Sequence, residues 1–243
     1  MFNGKTEIIN FYARINNYTS YLEIGGQPSA GDRSTFSQVK ITYKDTVDPG
    51  VHIEDDKMPK NCQHYEMTSD AFFKEYKNSK KYDLIFIDGL HEHAQVYRDI
   101  EGSLSCLSEN GTIVLHDMLP PSRKLEVVNR TGTCWRAFAD FRRKRKDLEM
   151  FTVPPPWGTE DGLSIIRLGK QEVFEKEIEY TYDFFLDNKV SLMNIITWDQ
   201  FLRKHSSYYD AADIIKKLHF DASKYVKNNA NCQSALADDS NKE

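Results

Sequence analysis

Two apolar, mostly β-branched or aromatic runs in the middle of the chain each end abruptly in ionisable residues. The first run, residues 82–87, and the second, residues 112–115, are followed by two carboxylates and two imidazoles: Asp88, His91, His116 and Asp117. Continuous apolar runs of this length are typical of strands buried on both faces, as in a parallel sheet covered by helices. Because ligands bind beyond the carboxyl ends of such strands, we predict a reaction site at this edge.

Strand-like and helix-like patterns alternate through the first two thirds of the chain. The predicted strands cover residues 18–24, 44–47, 62–67, 83–87, 112–115, 150–153 and 163–168. The predicted helices between them cover residues 7–17, 35–39, 69–77, 91–107 and 133–145. This alternation predicts an α/β fold with a Rossmann-like, doubly wound, mostly parallel sheet and helices on both faces.

The pattern also divides the chain into three parts. Residues 1–170 form the predicted core. Residues 171–226 form a predicted helical C-terminal extension packed on that core, with helices over residues 173–185 and 199–217. Residues 227–243 are polar and rich in Asn, Asp and Ser, a composition that predicts a disordered tail.

Composition excludes several classes of function. The formal net charge of −5 argues against a nucleic-acid partner, which usually needs a basic face. The sequence contains no apolar run long enough to span a bilayer and no signal-peptide pattern at its first residues. The four cysteines are scattered without a CxxC pair, which fits reduced thiols in a cytoplasmic protein.

The segment YLEIGG, residues 21–26, has the features of a cofactor-binding loop. Glycines directly after a strand let the backbone approach a ligand closely, although Gly25-Gly26 could equally form a tight turn. The next glycine is Gly31, so the GxGxxG pattern of nicotinamide and flavin enzymes is absent. Asp48 ends the next strand, where an acidic side chain can accept hydrogen bonds from both ribose hydroxyls. The alternative is a turn aspartate before Pro49.

The segment EMTSD, residues 66–70, follows the third strand. Met67 offers a flexible apolar face that can pack on a purine, and Ser69 or Asp70 can bond its exocyclic amine. A helix cap without ligand contact explains the same residues nearly as well.

Taken in order, these segments resemble the class I S-adenosylmethionine-dependent methyltransferases over residues 18–170. YLEIGG is similar to their first motif, Asp48 to their ribose acid and EMTSD to their adenine loop. FIDGLHEHAQVYRDI, residues 86–100, followed by NGTIVLHDM, residues 110–118, is similar to a branch of small O-methyltransferases whose members often modify glycans and antibiotics.

The resemblance implies S-adenosyl-L-methionine as the cofactor and assigns roles to individual residues. The implied cofactor-binding residues are Glu23, Gly25, Gly26, Asp48, Met67, Thr68, Ser69 and Asp88. The implied catalytic residues are Asp88, His91 and His116. In relatives, carboxylates at these two strand ends hold a divalent metal, and the corresponding ligands for Mg²⁺ or Mn²⁺ here are Asp88, Asp117 and His116. The sequence departs from those relatives because His116-Asp117 replaces a pair of acidic or amide ligands, and imidazole suits transition metals better than Mg²⁺.

Methyl transfer to an alcohol needs a general base or a metal, because the hydroxyl pKa is very high. His91 and His116 are the two candidates for the base. By family association the expected acceptor is a carbohydrate (glycan) hydroxyl, and a phenolic or catechol-type small molecule with metal assistance is the alternative. A non-catalytic, methyltransferase-like binding subunit is a further alternative. The sequence leaves the oligomeric state open, with a homodimer as one option. A hydrolase is disfavoured because the chain lacks a GxSxG elbow.

Overall fold

The computed structural model describes residues 4–28, 34–54, 58–154 and 162–205. The predicted tail, residues 227–243, therefore lies outside the described residues. Within them a single sheet contains these strands: β1 (Ser20–Ile24), β2 (Tyr43–Val47), β3 (Cys62–Tyr65), β4 (Tyr82–Ile87), β5 (Leu107–Leu115), β6 (Leu148–Val153) and β7 (Leu163–Leu168). Their order is β3-β2-β1-β4-β5-β7-β6. All pairings are parallel except those of β7 with β5 and β6. The predicted fold is confirmed.

The helices cover the two faces of this sheet. They are α1 (Lys5–Ile15), α2 (Thr35–Gln38), α3 (Ser69–Tyr76), α4 (His93–Cys106), α5 (Cys134–Lys144), α6 (Tyr182–Leu192) and α7 (Trp198–Lys204). Side chains of α1, α2 and α7 belong to one hydrophobic cluster, and side chains of α3, α4, α5 and α6 belong to the other. The core is therefore two-sided.

Strand β4 shows why its sequence is a continuous apolar run. Leu84 and Phe86 pack into the cluster that contains α1, whereas Ile85 and Ile87 pack into the cluster that contains α4 and α5. Successive side chains of a strand point to opposite faces, so a strand covered on both sides needs apolar residues at every position. Full burial of each such side chain contributes about 1.5–3 kcal/mol.

The prediction for the C-terminal extension is wrong in one element. Residues 173–181 are irregular, and the helix predicted over 173–185 begins only at Tyr182. The helix starts there because Thr181 caps it: its hydroxyl oxygen accepts a hydrogen bond from the N–H of Phe184 at 3.2 Å. The second helix, α7, ends at Lys204, and the predicted continuation beyond residue 205 lies outside the described residues.

The two C-terminal helices pack on the sheet. From α6, Phe185 and Leu192 are buried in the cluster with α4 and α5. From α7, Trp198 and Phe201 are buried in the cluster with α1. His205, which follows α7, is buried edge-on against Phe11.

Strands β1 and β4 lie side by side in the middle of the sheet. After β1 the chain continues to β2 on one side of this pair, and after β4 it continues to β5 on the other side. Such a point of reversal opens a crevice beyond the carboxyl ends of the strands, which is where ligands bind in open α/β sheets. The loops that follow Ile24 and Ile87 border this crevice.

Candidate active site

Asp88 is the centre of a charged cluster at the crevice. It follows β4 directly, and its backbone N–H donates to the carbonyl of Ile24 at 2.9 Å, which ties the two loops together. One carboxylate oxygen, Oδ2, forms an ion pair with the ammonium group of Lys5. The other, Oδ1, lies 3.2 Å from Nδ1 of His116 and 3.5 Å from Nε2 of His91.

His116 and Asp117 reach the same point from the end of β5. The N–H of His116 donates to the carbonyl of Ile87 at 3.1 Å, so the chain is still in register with β4 at this residue. Asp117 then takes a left-handed conformation, with φ of 59°. This turn brings its Oδ2 to 3.3 Å from Nδ1 of His116 and 3.2 Å from Nε2 of His91.

His91 is held at both ring nitrogens. Its Nδ1 is hydrogen-bonded to the backbone carbonyl of Arg130, and its Nε2 faces the carboxylates of Asp88 and Asp117. Gly132 lies directly against it, because a side-chain Cβ at that position would stand 2.0 Å from the His91 carbonyl oxygen. The turn over residues 127–132 therefore fixes the ring.

The carboxylates and imidazoles change one another's ionisation. Burial alone would raise the pKa of Asp88, but hydrogen bonds and charge from His116, with contributions from His91 and Lys5, hold that pKa well below its usual range. Burial alone would lower the pKa of His116, but Asp117 and Asp88 outweigh burial and raise it to about 9. In the same way, burial opposes and the two carboxylates, with the Arg130 carbonyl, raise the pKa of His91.

The predicted metal ligands converge in space. One potential ligand atom from each of Asp88, His116 and Asp117 lies within 4.8 Å of the other two. Two carboxylates and one imidazole are a set that suits Mn²⁺ or another first-row divalent ion better than Mg²⁺. The donor chemistry therefore fits a divalent metal.

The loop after β1, on one side of the crevice, contains two glycines that have no room for a side chain. Gly25 has φ of 82°, and a Cβ there would stand 2.2 Å from the carbonyl oxygen of Asp88. At Gly26 a Cβ would stand 2.1 Å from the hydroxyl of Thr46. The glycines therefore let the loop after β1 pack against its neighbours, in addition to leaving its backbone open to a ligand.

Glu23 lies one strand residue before this loop and is only 4% exposed. The hydroxyl of Tyr21 donates to its Oε2 at 2.6 Å. Burial raises the pKa of Glu23 to about 7, although the Tyr21 hydrogen bond opposes the shift. The side chain therefore changes charge near neutral pH.

Asp48 lies at the end of β2 as predicted, and one of its oxygens is already in use. Oδ1 accepts a hydrogen bond from the N–H of Gly50 at 2.7 Å, which is the turn role considered as an alternative. Oδ2 is the oxygen that remains for a ribose hydroxyl.

In the predicted adenine loop, too, polar side chains are already hydrogen-bonded or ion-paired within the protein. Thr68 caps α3 by accepting a hydrogen bond from the N–H of Ala71 at 3.2 Å. The hydroxyl of Ser69 donates to Asp99 at 2.6 Å, and Asp70 pairs with Arg98. Met67 is half-buried beside the cluster of α4 and α5.

Two contributors to the site were missed by the sequence reasoning. Lys5 is a lone lysine at the start of a helix, and no motif marks it. Asp99 is 1% exposed in the middle of α4, with one oxygen on Ser69 and the other, Oδ2, without a hydrogen-bond partner. The helical spacing of Asp99 with Val96, Ile100 and Cys106, which places the carboxylate on the buried face of α4, was the available signal.

Comparison with known proteins places these residues in a recognised domain. A family model described as a methyltransferase domain matches residues 17–118, fewer than half of the 243 residues. The match contains each of the predicted site residues from Glu23 to Asp117, whereas Lys5 lies before it. No curated protein matches the chain significantly.

Solved structures share the fold at low identity. Cofactor-bound Rv0187 from MTB is 11% identical, with a TM-score of 0.51 over 70% of this chain and 82% of that one. The O-methyltransferase from Bacillus cereus in complex with SAH is 13% identical, with a TM-score of 0.49 over 70% and 82% of the two chains. In the described residues no helix is long and apolar enough to cross a membrane. Residues 17–118 match a methyltransferase domain, and the prediction of a methyltransferase is confirmed to that extent.

Proposed function

We propose that this protein is an S-adenosylmethionine-dependent O-methyltransferase that methylates a carbohydrate hydroxyl. The observation that carries the proposal is the cluster of Asp88, His91, His116 and Asp117 beside the glycine loop of a methyltransferase domain. The cluster supplies what the transfer needs, namely fixed carboxylates and an imidazole at the edge where cofactor and acceptor meet.

The cofactor side is assigned to the residues that border the loop after β1. Bound S-adenosylmethionine would supply an electrophilic methyl group on a sulfonium ion. Glu23 and the backbone of Gly25 and Gly26 would line its methionine end, and Oδ2 of Asp48 would accept from the ribose. Met67 would pack on the adenine, while Thr68 and Ser69 fix the loop through their own hydrogen bonds.

Of the two histidines, His116 is the better candidate for the general base. Its Nδ1 faces both carboxylates, so Nε2 is the nitrogen that can take a proton from an acceptor hydroxyl. His91 is bonded at both nitrogens and therefore serves to hold Asp88 and Asp117 in place. With its pKa near 9, His116 is protonated at neutral pH and acts as a base only in its neutral minority form.

Divalent metal is the second device that the cluster supports. Asp88, Asp117 and His116 would hold Mn²⁺ or Mg²⁺, and the bound ion would lower the pKa of an acceptor hydroxyl. In that case Asp88, Asp117 and His116 would serve as ligands, with His116 in its neutral form.

One observation favours the second candidate acceptor, a phenolic or catechol-type molecule. Leu90, Val127 and Val128 are large apolar side chains that are each 48% exposed. Leu90 lies on the loop after β4, and Val127 and Val128 lie on the loop before α5. The two loops meet at His91, where the N–H of Thr133 donates to the His91 carbonyl at 3.0 Å. An aromatic ring or the apolar part of a glycoside would cover this surface better than a bare sugar.

The test is a binding measurement followed by a transfer assay. We expect calorimetry to show S-adenosylmethionine binding, and labelled methyl groups to reach hydroxyls in a panel of sugars, glycosides, phenols and catechols. The assay is run after chelation and again with Mn²⁺ or Mg²⁺. Transfer to phenols alone would replace the carbohydrate acceptor with the second candidate. Cofactor binding without transfer to any acceptor would favour a binding subunit, and absence of binding would remove the proposed function.

A further inference from the structure

Lys5 is the first residue of α1. Its ammonium group lies in the charged cluster at the crevice, beside Asp88. It forms an ion pair with Oδ2 of Asp88 and stands 5.3 Å from the centre of the Phe86 ring. Both partners are largely shielded from water, with 28% of the Lys5 side chain and 18% of the Asp88 side chain exposed. The surface pair of Arg203 and Asp199 is far more open, at 78% and 69%.

The position of Lys5 is fixed by the packing of its helix. Ile8 and Ile9, one turn further along α1, are completely buried in the cluster that also contains Leu84 and Phe86 of β4. A cation in the first turn of a helix is disfavoured by the helix dipole. The local helix therefore does not explain this lysine, whereas the carboxylate of Asp88 does.

Lys5 and the predicted metal ligands share one carboxylate. Oδ1 of Asp88 faces His116 and the Asp117 side of the cluster, and Oδ2 faces Lys5. A divalent ion bound to Asp88, His116 and Asp117 would therefore meet a fixed positive charge on the far side of one of its own ligands. Charges separated by a few ångströms at a partly buried site repel one another appreciably.

We propose that Lys5 is a built-in cation of the reaction centre, which occupies Asp88 and weakens the binding of divalent metal to the Asp88–His116–Asp117 cluster. Lys5 is a positioning residue in this role: it holds the Asp88 carboxylate and neutralises part of its charge. The inference rests on the proposed function only in using the same cluster.

The test is a titration of the full chain with Mn²⁺ at neutral pH, followed by the electron paramagnetic resonance signal of the free ion. We expect Lys5→Met to bind Mn²⁺ at least about tenfold more tightly than the wild type, since it removes the repelling charge. Lys5→Arg, which keeps the charge, should bind like the wild type. Lys40→Met removes an exposed lysine after α2 and is the matched control; it should also bind like the wild type.

A second change tests whether the gained ion sits in the cluster. Adding Asp117→Asn to Lys5→Met should abolish most of the gain in affinity, because it removes the negative charge of one ligand and keeps the chain path. Lys5→Gln serves if the methionine variant does not fold, as judged by circular dichroism.

The inference is overturned if the charge-removing variants bind Mn²⁺ within about twofold of the wild type. It is also overturned if no variant binds the ion, because Lys5 would then not be what limits binding. Cofactor affinity is measured separately by calorimetry with S-adenosylhomocysteine. If the wild type did not bind S-adenosylhomocysteine, the proposed methyltransferase function would be wrong, and the comparison of Mn²⁺ affinities would still stand.

Discussion

The two halves of the crevice are built in different ways. On the cofactor side, beyond β1, β2 and β3, Asp48 and Thr68 each accept a hydrogen bond from a backbone N–H two or three residues along the chain, that of Gly50 and that of Ala71, while Ser69 and Asp70 contact α4. On the reaction side, beyond β4 and β5, the polar groups meet across long stretches of chain, as Lys5 and Asp88 do. The cofactor side depends on backbone shape, and the reaction side depends on charge.

This difference decides what substitutions can do in each half. Local hydrogen bonds on the cofactor side stabilise loops, so losing one side chain there removes one ligand contact from a surface that stays in place. On the reaction side the pKa values of Asp88, His91 and His116 depend on neighbouring charged groups, so losing one of those groups changes the ionisation of the others. Substitutions in each half distinguish these two behaviours.

Gly25 lies where the two halves of the crevice are in contact, so Gly25→Ala should have the largest effect. Alanine at this position would have to adopt a left-handed backbone conformation, and its Cβ would stand 2.2 Å from the Asp88 carbonyl oxygen. The loops after β1 and β4 would therefore have to separate. We expect a loss of at least about 1–3 kcal/mol in the free energy of unfolding, together with loss of cofactor binding and turnover. Urea denaturation, calorimetry and the transfer assay measure the three quantities.

Gly50→Ala is the matched control for that change. Its Cβ would meet only the Asp48 carboxylate at 3.4 Å, so both stability and cofactor affinity should change little. If Gly25→Ala behaved like this control, the loops after β1 and β4 would not be packed as described.

His116→Gln tests the reaction side alone. We expect turnover to fall by about 100-fold or more while cofactor affinity stays within about threefold. In wild-type protein freed of metal, turnover should rise with pH up to about 9, because only neutral His116 can accept a proton and Asp117 and Asp88 raise its pKa to that value. In the variant this rise should be absent.

A pH–rate profile of both proteins, measured with saturating cofactor, checks the assignment. Glu23 titrates lower, near pH 7, and remains in the variant, so its contribution is seen in both profiles. A wild-type profile that is flat between pH 7.5 and pH 9.5 would argue against His116 as the base.

Asp48→Ala tests the cofactor side and should have the smallest effect. The proposed ribose contact of Oδ2 is lost, and the turn to Gly50 loses a hydrogen bond. We expect cofactor affinity to fall by about tenfold with turnover at saturation nearly unchanged. Asp48→Asn, which keeps an acceptor for the turn, separates the two contributions. An equal loss in turnover at saturation would show that the two halves are not independent.

The sequence predicted the parts of the structure that depend on short-range patterns. Apolar runs with both faces buried marked β4 and β5, and the glycines after β1 marked the loop that touches Asp88. The helix at residues 173–185 was misplaced because Thr181, not the apolar spacing, decides where α6 begins.

Contacts between distant segments were beyond reach for a physical reason. Lys5 is 83 residues from Asp88, and only the packing of α1 on the sheet brings them together. The buried pair of Ser69 and Asp99 likewise depends on how α3 meets α4. A single sequence carries the chemistry of such residues but not their partners.

The left-handed backbone at Asp117 gives the cluster a position at which its charge alone can be altered. Among residues with a side chain, Asp and Asn adopt this conformation most readily. Replacing Asp117 with Asn would therefore remove one negative charge and keep the chain path, the side-chain length and one acceptor oxygen. Most other residues would strain the turn. The net charge of the reaction centre can thus be stepped by one unit, by an experimenter or by evolution, without rebuilding the sheet edge that carries it.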